Sequence, residues 1–403
     1  MPSFSRIRIV IDKTYREVLF MAHIRKTESG SYEVFIDMGR DPGTGKRIQR
    51  TKTFSTKKEA KTWVSKKTQE RETGFGINFN KLNLKEYLKK WLREYGKPNL
   101  SPTTFDGYKM IVNKHLIPSL GALKLDELKP LHIVQYQNKK LRTGRRDGKV
   151  GGLSKKTVLQ HHRVLNKALK QAVMWQLLSH NPMDAVSAPT PKQPDINFLT
   201  KQEIDELLEL AKKDDQWSYY FIYLAVNTGM RRGELLGLAW EHVDFEKQTI
   251  QVKQNLIRSK EEGLIFKSPK NRSSRRIIKI ESDDVKILIK LKKIQNENKL
   301  LFGPEYKNKH NLVFAKKNGE MLYPNTATKR FSALVKKLNF ENVRLHDLRH
   351  SHATLMLQAG VHPKVVQERL GHATITTTLN TYSHVIPTLQ EESVKKYKEY
   401  MNS

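Results

Sequence analysis

The C-terminal half of the chain carries four groups of residues whose types suit chemistry on a phosphodiester. The first is Asn227-Thr-Gly-Met-Arg231-Arg-Gly-Glu234, with a glycine ahead of Arg231 and Glu234 three residues behind it. On a helix, residues three apart share a face. The second is Lys270, expected at the tip of a basic hairpin over 266–274 and flanked by Arg272, Arg275 and Arg276. The third is His346-Asp-Leu-Arg349, whose spacing puts an imidazole and a guanidinium on one helical face. The planar fork of Arg matches two phosphate oxygens, and His can donate a further bond. The fourth is Gly371-His372 with Tyr382 ten positions later. Taken singly, each has a plain structural explanation: a surface Arg–Glu pair, a solvated turn, a packed tyrosine.

Together they point to one reaction. Transfer of a phosphodiester develops negative charge on non-bridging oxygens, and either metal ions or clustered cations must stabilise it. This chain offers cations and no acidic cluster suited to magnesium, so neither metal nor other cofactor is expected. A zinc site on His346, His350 and His352 is a rival, but the zinc-peptidase pattern needs Glu directly after the first His; Asp347 stands there. Cysteine is absent, which removes thiolate nucleophiles, thiolate zinc sites and disulfides. A tyrosine hydroxyl can serve as nucleophile and conserve bond energy in a covalent intermediate.

The rest of the composition names the partner. With 74 Lys and Arg against 41 Asp and Glu in 403 residues, the formal charge is +33. The excess is +8 over 1–80, +14 over 81–195 and +11 over 196–403, so it is a whole-chain property rather than a tail. Nucleic acid is the usual partner of such a surface; general polyanion stickiness and an anionic membrane surface are the bland alternatives. The longest nearly apolar run, 219–226, is far short of the roughly 20 residues of a membrane span. No membrane association and a cytoplasmic location are expected.

These groups need elements to position them. Over 1–80, alternating stretches at 7–11, 31–38 and 47–54, a turn cluster Asp41-Pro-Gly-Thr-Gly45, and the capping box Thr56-Lys-Lys-Glu59 predict a small hairpin sheet with one packing helix. Met21 reads as a plausible start, making 1–20 an upstream extension. Residues 82–186 read as helices: a stripe of Leu84, Leu88, Trp91, Leu92 and Tyr95; a second helix entered at Ser101-Pro102 and ended by Pro118; a third over 125–141; and a fourth from Ser154 to the Asn181-Pro182 stop. Pro189, Pro191 and Pro194 mark a linker over 187–198. Thr200-Lys-Gln-Glu203 then caps a new helix and opens a mainly helical domain, with strands expected at 249–252 and 276–280. Residues 363–370 read as a short helix stopped by Gly371, with Thr374 capping the next.

The ordered set Thr-Gly-Met-Arg231-x-x-Glu234, Lys270, His346-x-x-Arg349, Leu-Gly-His372 and Tyr382 resembles the tyrosine recombinase (phage integrase) family, and the regions before it resemble the three-part integrases of temperate phages and conjugative transposons. The resemblance implies a multidomain fold. A small α+β arm-type DNA-binding sheet domain would span 1–80, an all-α core-binding domain 81–186, and a mainly α catalytic domain with a small β-sheet 199–403. It implies that Tyr382 attacks the scissile phosphate to form a 3′-phosphotyrosyl bond. Arg231 and Arg349 would grip the non-bridging oxygens, Lys270 protonate the leaving 5′-oxygen, and His346 assist proton transfer at the nucleophile. His372 would bond the phosphate, with Glu234 in support. The implied function is integration, and with accessory factors excision, of a mobile element through a Holliday junction, without metal or ATP. The implied partners are double-stranded DNA with core-type and arm-type sites, a homotetramer on DNA, an excisionase and a host DNA-bending protein. Two alternatives remain at this point: a type IB topoisomerase-like enzyme, and a non-catalytic DNA-binding or architectural protein.

Overall fold

The computed structural model describes residues 22–27, 29–40, 46–72, 82–192, 197–268, 275–382 and 389–402. The expected strand at 7–11, the extension over 1–20, the turn at 41–45, and Lys270 with Arg272 lie outside the described residues. The chain divides into two compact units, one running up to Pro191 and the other from Lys192 onward, with the short stretch Pro102–Asp106 grouped with the second.

The first unit holds a three-stranded antiparallel sheet of β1 (Ala22–Lys26), β2 (Tyr32–Arg40) and β3 (Arg47–Phe54), in that order. Period-two alternation on β2 buries Val34 and Ile36 and turns Phe35 outward. The helix Lys57–Glu72 covers the buried face, bringing Ala60 against Val34 and Ile36 and the Trp63 ring to 5.5 Å from Phe54. Thr56 begins that helix as its composition implies, accepting from the Glu59 backbone at 3.3 Å.

The helices of 82–186 pack an aromatic centre. Trp91 stacks on Tyr95 and Tyr108, each at 6.0 Å, and the Tyr87 hydroxyl donates to the Ala168 carbonyl of the helix Lys155–Met174. Three boundaries differ from expectation. The fourth helix ends at Met174, with Gln176 at a left-handed φ of 56°, and Asn181-Pro182 opens a separate short turn, Pro182–Ala185. The helix Pro102–Ile111 does not stop at Pro118: it runs through a π turn, Val112–Leu116, into Ile117–Leu120. Proline lacks the N–H that would bond the Lys114 carbonyl, and the Arg146 guanidinium donates to that carbonyl instead. The third helix starts at Pro130, not at 125. Leu125 and Leu128 are buried from a turn, and their three-residue spacing imitates a helical stripe.

The second unit surrounds its core with helices Lys201–Asp214, Gln216–Thr228, Ser282–Phe302, Pro324–Lys337 and Asp347–Gln358. A small antiparallel sheet pairs β4 (Val243–Asp244), β5 (Thr249–Val252) and β8 (Arg276–Lys279). Between β5 and β8 lies a hairpin the sequence did not announce, β6 (Asn255–Ser259) against β7 (Gly263–Lys267). No helix of the described residues is long and apolar enough to cross a membrane.

Candidate active site

The first arginine is fixed by a helix start. The helix Gln216–Thr228 ends at Gly229, whose left-handed φ of 62° turns the chain. Arg231 then caps the short helix Arg232–Leu236. Its backbone N–H donates to Glu234 Oε2 at 2.9 Å and its Nη1 donates to Glu234 Oε1 at 2.7 Å. Glu234 is buried and takes a second cation from β8: Arg276 Nη2 donates to Oε2 at 2.8 Å and Nη1 to Oε1 at 3.2 Å. Burial alone would raise the Glu234 pKa, but Arg276 and Arg231 outweigh it and hold the carboxyl at about 2. Arg232, next in sequence, points elsewhere and donates to Thr328 Oγ1 at 2.6 Å.

Glu234 therefore stabilises a buried cation as well as orienting Arg231. Its folded pKa lies below the usual carboxylate value, so its contribution is present above about pH 4.5 and is lost as the pH falls toward 2. Glu234→Gln leaves Arg276 buried without its counter-charge and is expected to cost about 3–5 kcal/mol. Urea unfolding of the full chain at neutral pH checks this, and the deficit should shrink in acid.

Arg349 sits in the helix Asp347–Gln358 and is 3% exposed. Part of its fork goes to backbone: Nη1 donates to the Gly229 carbonyl at 2.8 Å and Nη2 to the Leu370 carbonyl at 2.6 Å, leaving the remaining N–H groups for a ligand. It thus ties together the ends of two helices, Gln216–Thr228 and Pro363–Leu370, both closed by left-handed glycines, Gly229 and Gly371. Burial, with Arg231 close by, disfavours its charge; the two carbonyls offset part of that cost, and an anion would offset more. The close approach demands glycine at 229, since a Cβ there would meet the His352 ring at 2.6 Å.

Tyr382 ends the helix Ile375–Tyr382 and is fully buried among Ala353, Leu357, Val366 and Leu370. Burial pushes its pKa up to about 12, although Arg349 pulls the other way. Its hydroxyl is 2.8 Å from His350 Nδ1. The His350 ring in turn meets the His346 ring edge-on, centroids 5.1 Å apart. His346, at the N-cap of its helix, keeps an exposed edge; lost hydration, then His350 and Arg349, lower its pKa to about 4. His372 follows Gly371 and bonds Thr378 Oγ1 through Nδ1 at 2.9 Å, tying it to the tyrosine's own helix. Burial, then Arg349 and Arg231, lower its pKa to about 4 as well. In the tautomer whose Nδ1 accepts from Thr378, the ring proton is on Nε2, from which it can be donated to an anion.

The second unit therefore brings together Arg231, Glu234, His346, Arg349, His372 and Tyr382, while Lys270 lies outside the described residues. Three further residues belong to this network. Arg276, in sequence one charge of a basic run, pairs with Glu234. Arg369 donates to His352 Nε2 at 3.0 Å and to the Asn227 and Lys279 carbonyls, bracing the helix ends from behind. His350 touches the tyrosine. Among the described residues no group of three or more His, Asp or Glu side chains is placed to hold a metal ion.

Three family models match in chain order: an Arm DNA-binding domain over residues 23–70, a Phage integrase N-terminal SAM-like domain over 83–141, and the Phage integrase family over 197–388. The chain belongs to the phage integrase family, the tyrosine recombinases. Its activity is site-specific recombination, the cleavage and rejoining of DNA strands. It is 29% identical over 381 residues to a XerC-like tyrosine recombinase of Caldanaerobacter subterraneus, spanning 90% of this chain and 95% of that protein. It is 25% identical over 379 residues to the ICEBs1 integrase of Bacillus subtilis, spanning 94% and 100%. Among solved structures it is similar in fold to the Tn1549 transposon integrase in complex with a circular intermediate DNA, with a TM-score of 0.65 at 24% identity, covering 78% of this chain and 99% of that one.

Proposed function

We propose that Tyr382 is the nucleophile of this recombinase and that Arg231, Arg349, His346 and His372 form the donor set around the scissile phosphate. The observation that carries this reading is the convergence of all five side chains in one unit, with the tyrosine ring buried and Arg349 close enough to its hydroxyl to favour the phenolate. Attack forms a 3′-phosphotyrosyl bond and releases a 5′-hydroxyl; Lys270 protonates the leaving oxygen. Glu234 orients Arg231 rather than touching DNA. Because the charge on the phosphate oxygens is met by side-chain cations, the chemistry proceeds without metal or ATP.

The chain is read as an arm-type DNA-binding domain over 1–80, a core-binding domain over 81–186, a linker over 187–198 and a catalytic domain over 199–403. The matches over 23–70 and 83–141 fall inside the first two bounds, and the match over 197–388 begins two residues ahead of the last. Four protomers assemble on double-stranded core-type DNA and pass through a Holliday junction, integrating a mobile element in a bacterial cytoplasm. An excisionase and a host DNA-bending protein assist at arm-type sites. The helix Leu389–Met401 exposes Val394, Tyr397, Tyr400 and Met401, an apolar stripe suited to docking on a neighbouring protomer. Deleting residues after 388 is expected to abolish synaptic assembly; unaltered assembly would overturn that role.

The test is a nicked suicide duplex carrying the crossover of the element that encodes this chain. In EDTA and without nucleotide, the full chain should form a denaturant-stable adduct on the 3′ side of the break and leave a free 5′-hydroxyl. Site-selective binding with no adduct would reduce the chain to a DNA-binding protein. Relaxation of any supercoiled plasmid without paired sites would make it a topoisomerase.

A further inference from the structure

The proton of Tyr382 has to go somewhere, and the geometry identifies a recipient. The phenol is enclosed by Ala353, Leu357, Val366 and Leu370, so bulk water does not reach the ring. A phenol held at about 12 is ionised in only about one molecule in 10⁵ at pH 7. Pre-equilibrium loss of the proton to solvent is therefore a poor route, and a base in contact with the hydroxyl is worth about 10²–10⁴ in rate. The group in contact is His350, with Nδ1 at 2.8 Å. The His346 ring meets the His350 ring edge-on, centroids 5.1 Å apart, while the hydrogen bond of the hydroxyl is to His350.

We propose that His350 is a catalytic residue: it accepts the phenolic proton of Tyr382 as the tyrosine oxygen attacks phosphorus, and returns it when the strand is rejoined. This rests on Tyr382 being the nucleophile. In cleavage the tyrosine O–P bond forms and the P–O5′ bond breaks. The phenolic proton moves to Nδ1, giving an imidazolium, and the 5′-oxygen takes its proton from Lys270. In rejoining the DNA 5′-hydroxyl attacks, its proton returns to Lys270, and the imidazolium protonates the departing phenolate. Proton count and charge close over the cycle.

The surroundings suit a base that is neutral at rest. Burial lowers the His350 pKa, Asp347 raises it and Arg349 lowers it. His346 and His372, both held low and both within electrostatic reach of His350, add no positive charge at neutral pH. The titratable and charged groups facing His350 are thus Tyr382 and His372 from the C-terminal elements, and His346, Asp347 and Arg349 on its own helix and helix cap.

The experiment is single-turnover adduct formation on the nicked duplex across pH 5–9, with the full chain and His350→Phe, His350→Asn and His350→Ala. The Phe variant fills the ring's space, and the Asn variant keeps a polar atom near the Nδ1 position. Both should cleave about 10²–10⁴-fold more slowly while binding DNA as the parent does. The parent rate should rise with pH to a plateau as His350 loses its proton. Both variants should instead keep climbing with pH, because only the tyrosinate then reacts. Added imidazole should restore adduct formation in the Ala variant. Rates close to the parent's in the Asn variant would overturn the proposal. So would slow cleavage with the parent's pH profile and no imidazole rescue, which would mark His350 as structural. Adduct formation by Tyr382→Phe would instead remove the nucleophile assignment beneath the proposal, and that is read on a separate variant.

Discussion

Tyr382→Phe should abolish covalent adduct formation, a loss of at least about 10⁴-fold of the kind seen when a covalent nucleophile is deleted, with DNA binding unchanged. The physical case is specific to this position. The ring packs among Ala353, Leu357, Val366 and Leu370, and phenylalanine keeps those contacts, so no cavity opens. What disappears is one oxygen and its hydrogen bond to His350. The variant should therefore fold normally and lose about 1 kcal/mol of stability for the unpaired imidazole nitrogen. Gel analysis of adducts on the nicked duplex, beside a binding assay at the same salt, separates the two effects.

Arg349→Ala should produce the second large effect, and it should differ from Arg231→Ala in a diagnostic way. Removing one preorganised donor to a developing oxyanion costs about 10²–10³ in rate, so both substitutions should slow cleavage at least that much. Arg349, however, is buried and donates to the carbonyls of Gly229 and Leu370. Its loss strands two buried acceptors at about 1–3 kcal/mol each and loosens two helix ends at once. Arg231 is part-exposed, with a side chain 36% accessible, and its partner Glu234 retains Arg276. Arg231→Ala should therefore be slow yet nearly as stable as the parent, whereas Arg349→Ala should be slow and clearly less stable. Arg349→Lys keeps the charge but not the fork, and should recover stability only in part. Thermal unfolding of the full chain alongside single-turnover cleavage, measured well below the lowest transition, reads both axes.

Much of this arrangement was legible in the sequence because it is built from local signals. Capping chemistry placed the starts of the helices at Thr56, Ser154 and Thr200, and Gly229 and Gly371 marked where two helices stop beside the site. The strands at 249–252 and 276–280 followed from alternation and do pair with each other. What was missed depends on long-range partners. Arg276 looked like one more charge in a basic run, yet its meaning comes from Glu234, 42 residues earlier. In sequence His350 suggests only a metal ligand spaced four from His346; its partner is Tyr382, 32 residues later, and nothing local announces that contact. Pro118 differs for another reason: it falls in the first turn of Ile117–Leu120, just past the π turn Val112–Leu116, where proline is tolerated, and Arg146 donates to the Lys114 carbonyl that its missing N–H leaves open.

The defining step is the formation of a bond between the Tyr382 oxygen and DNA. The most direct measurement is to form the adduct on a radiolabelled nicked duplex, digest with nuclease and trypsin, and sequence the labelled peptide. Residues 370–395 form one tryptic peptide containing a single tyrosine, Tyr382. The label is expected on that tyrosine as a phosphodiester to the 3′ end of the cleaved strand. Label on any other residue, or on a 5′ phosphate, would contradict it.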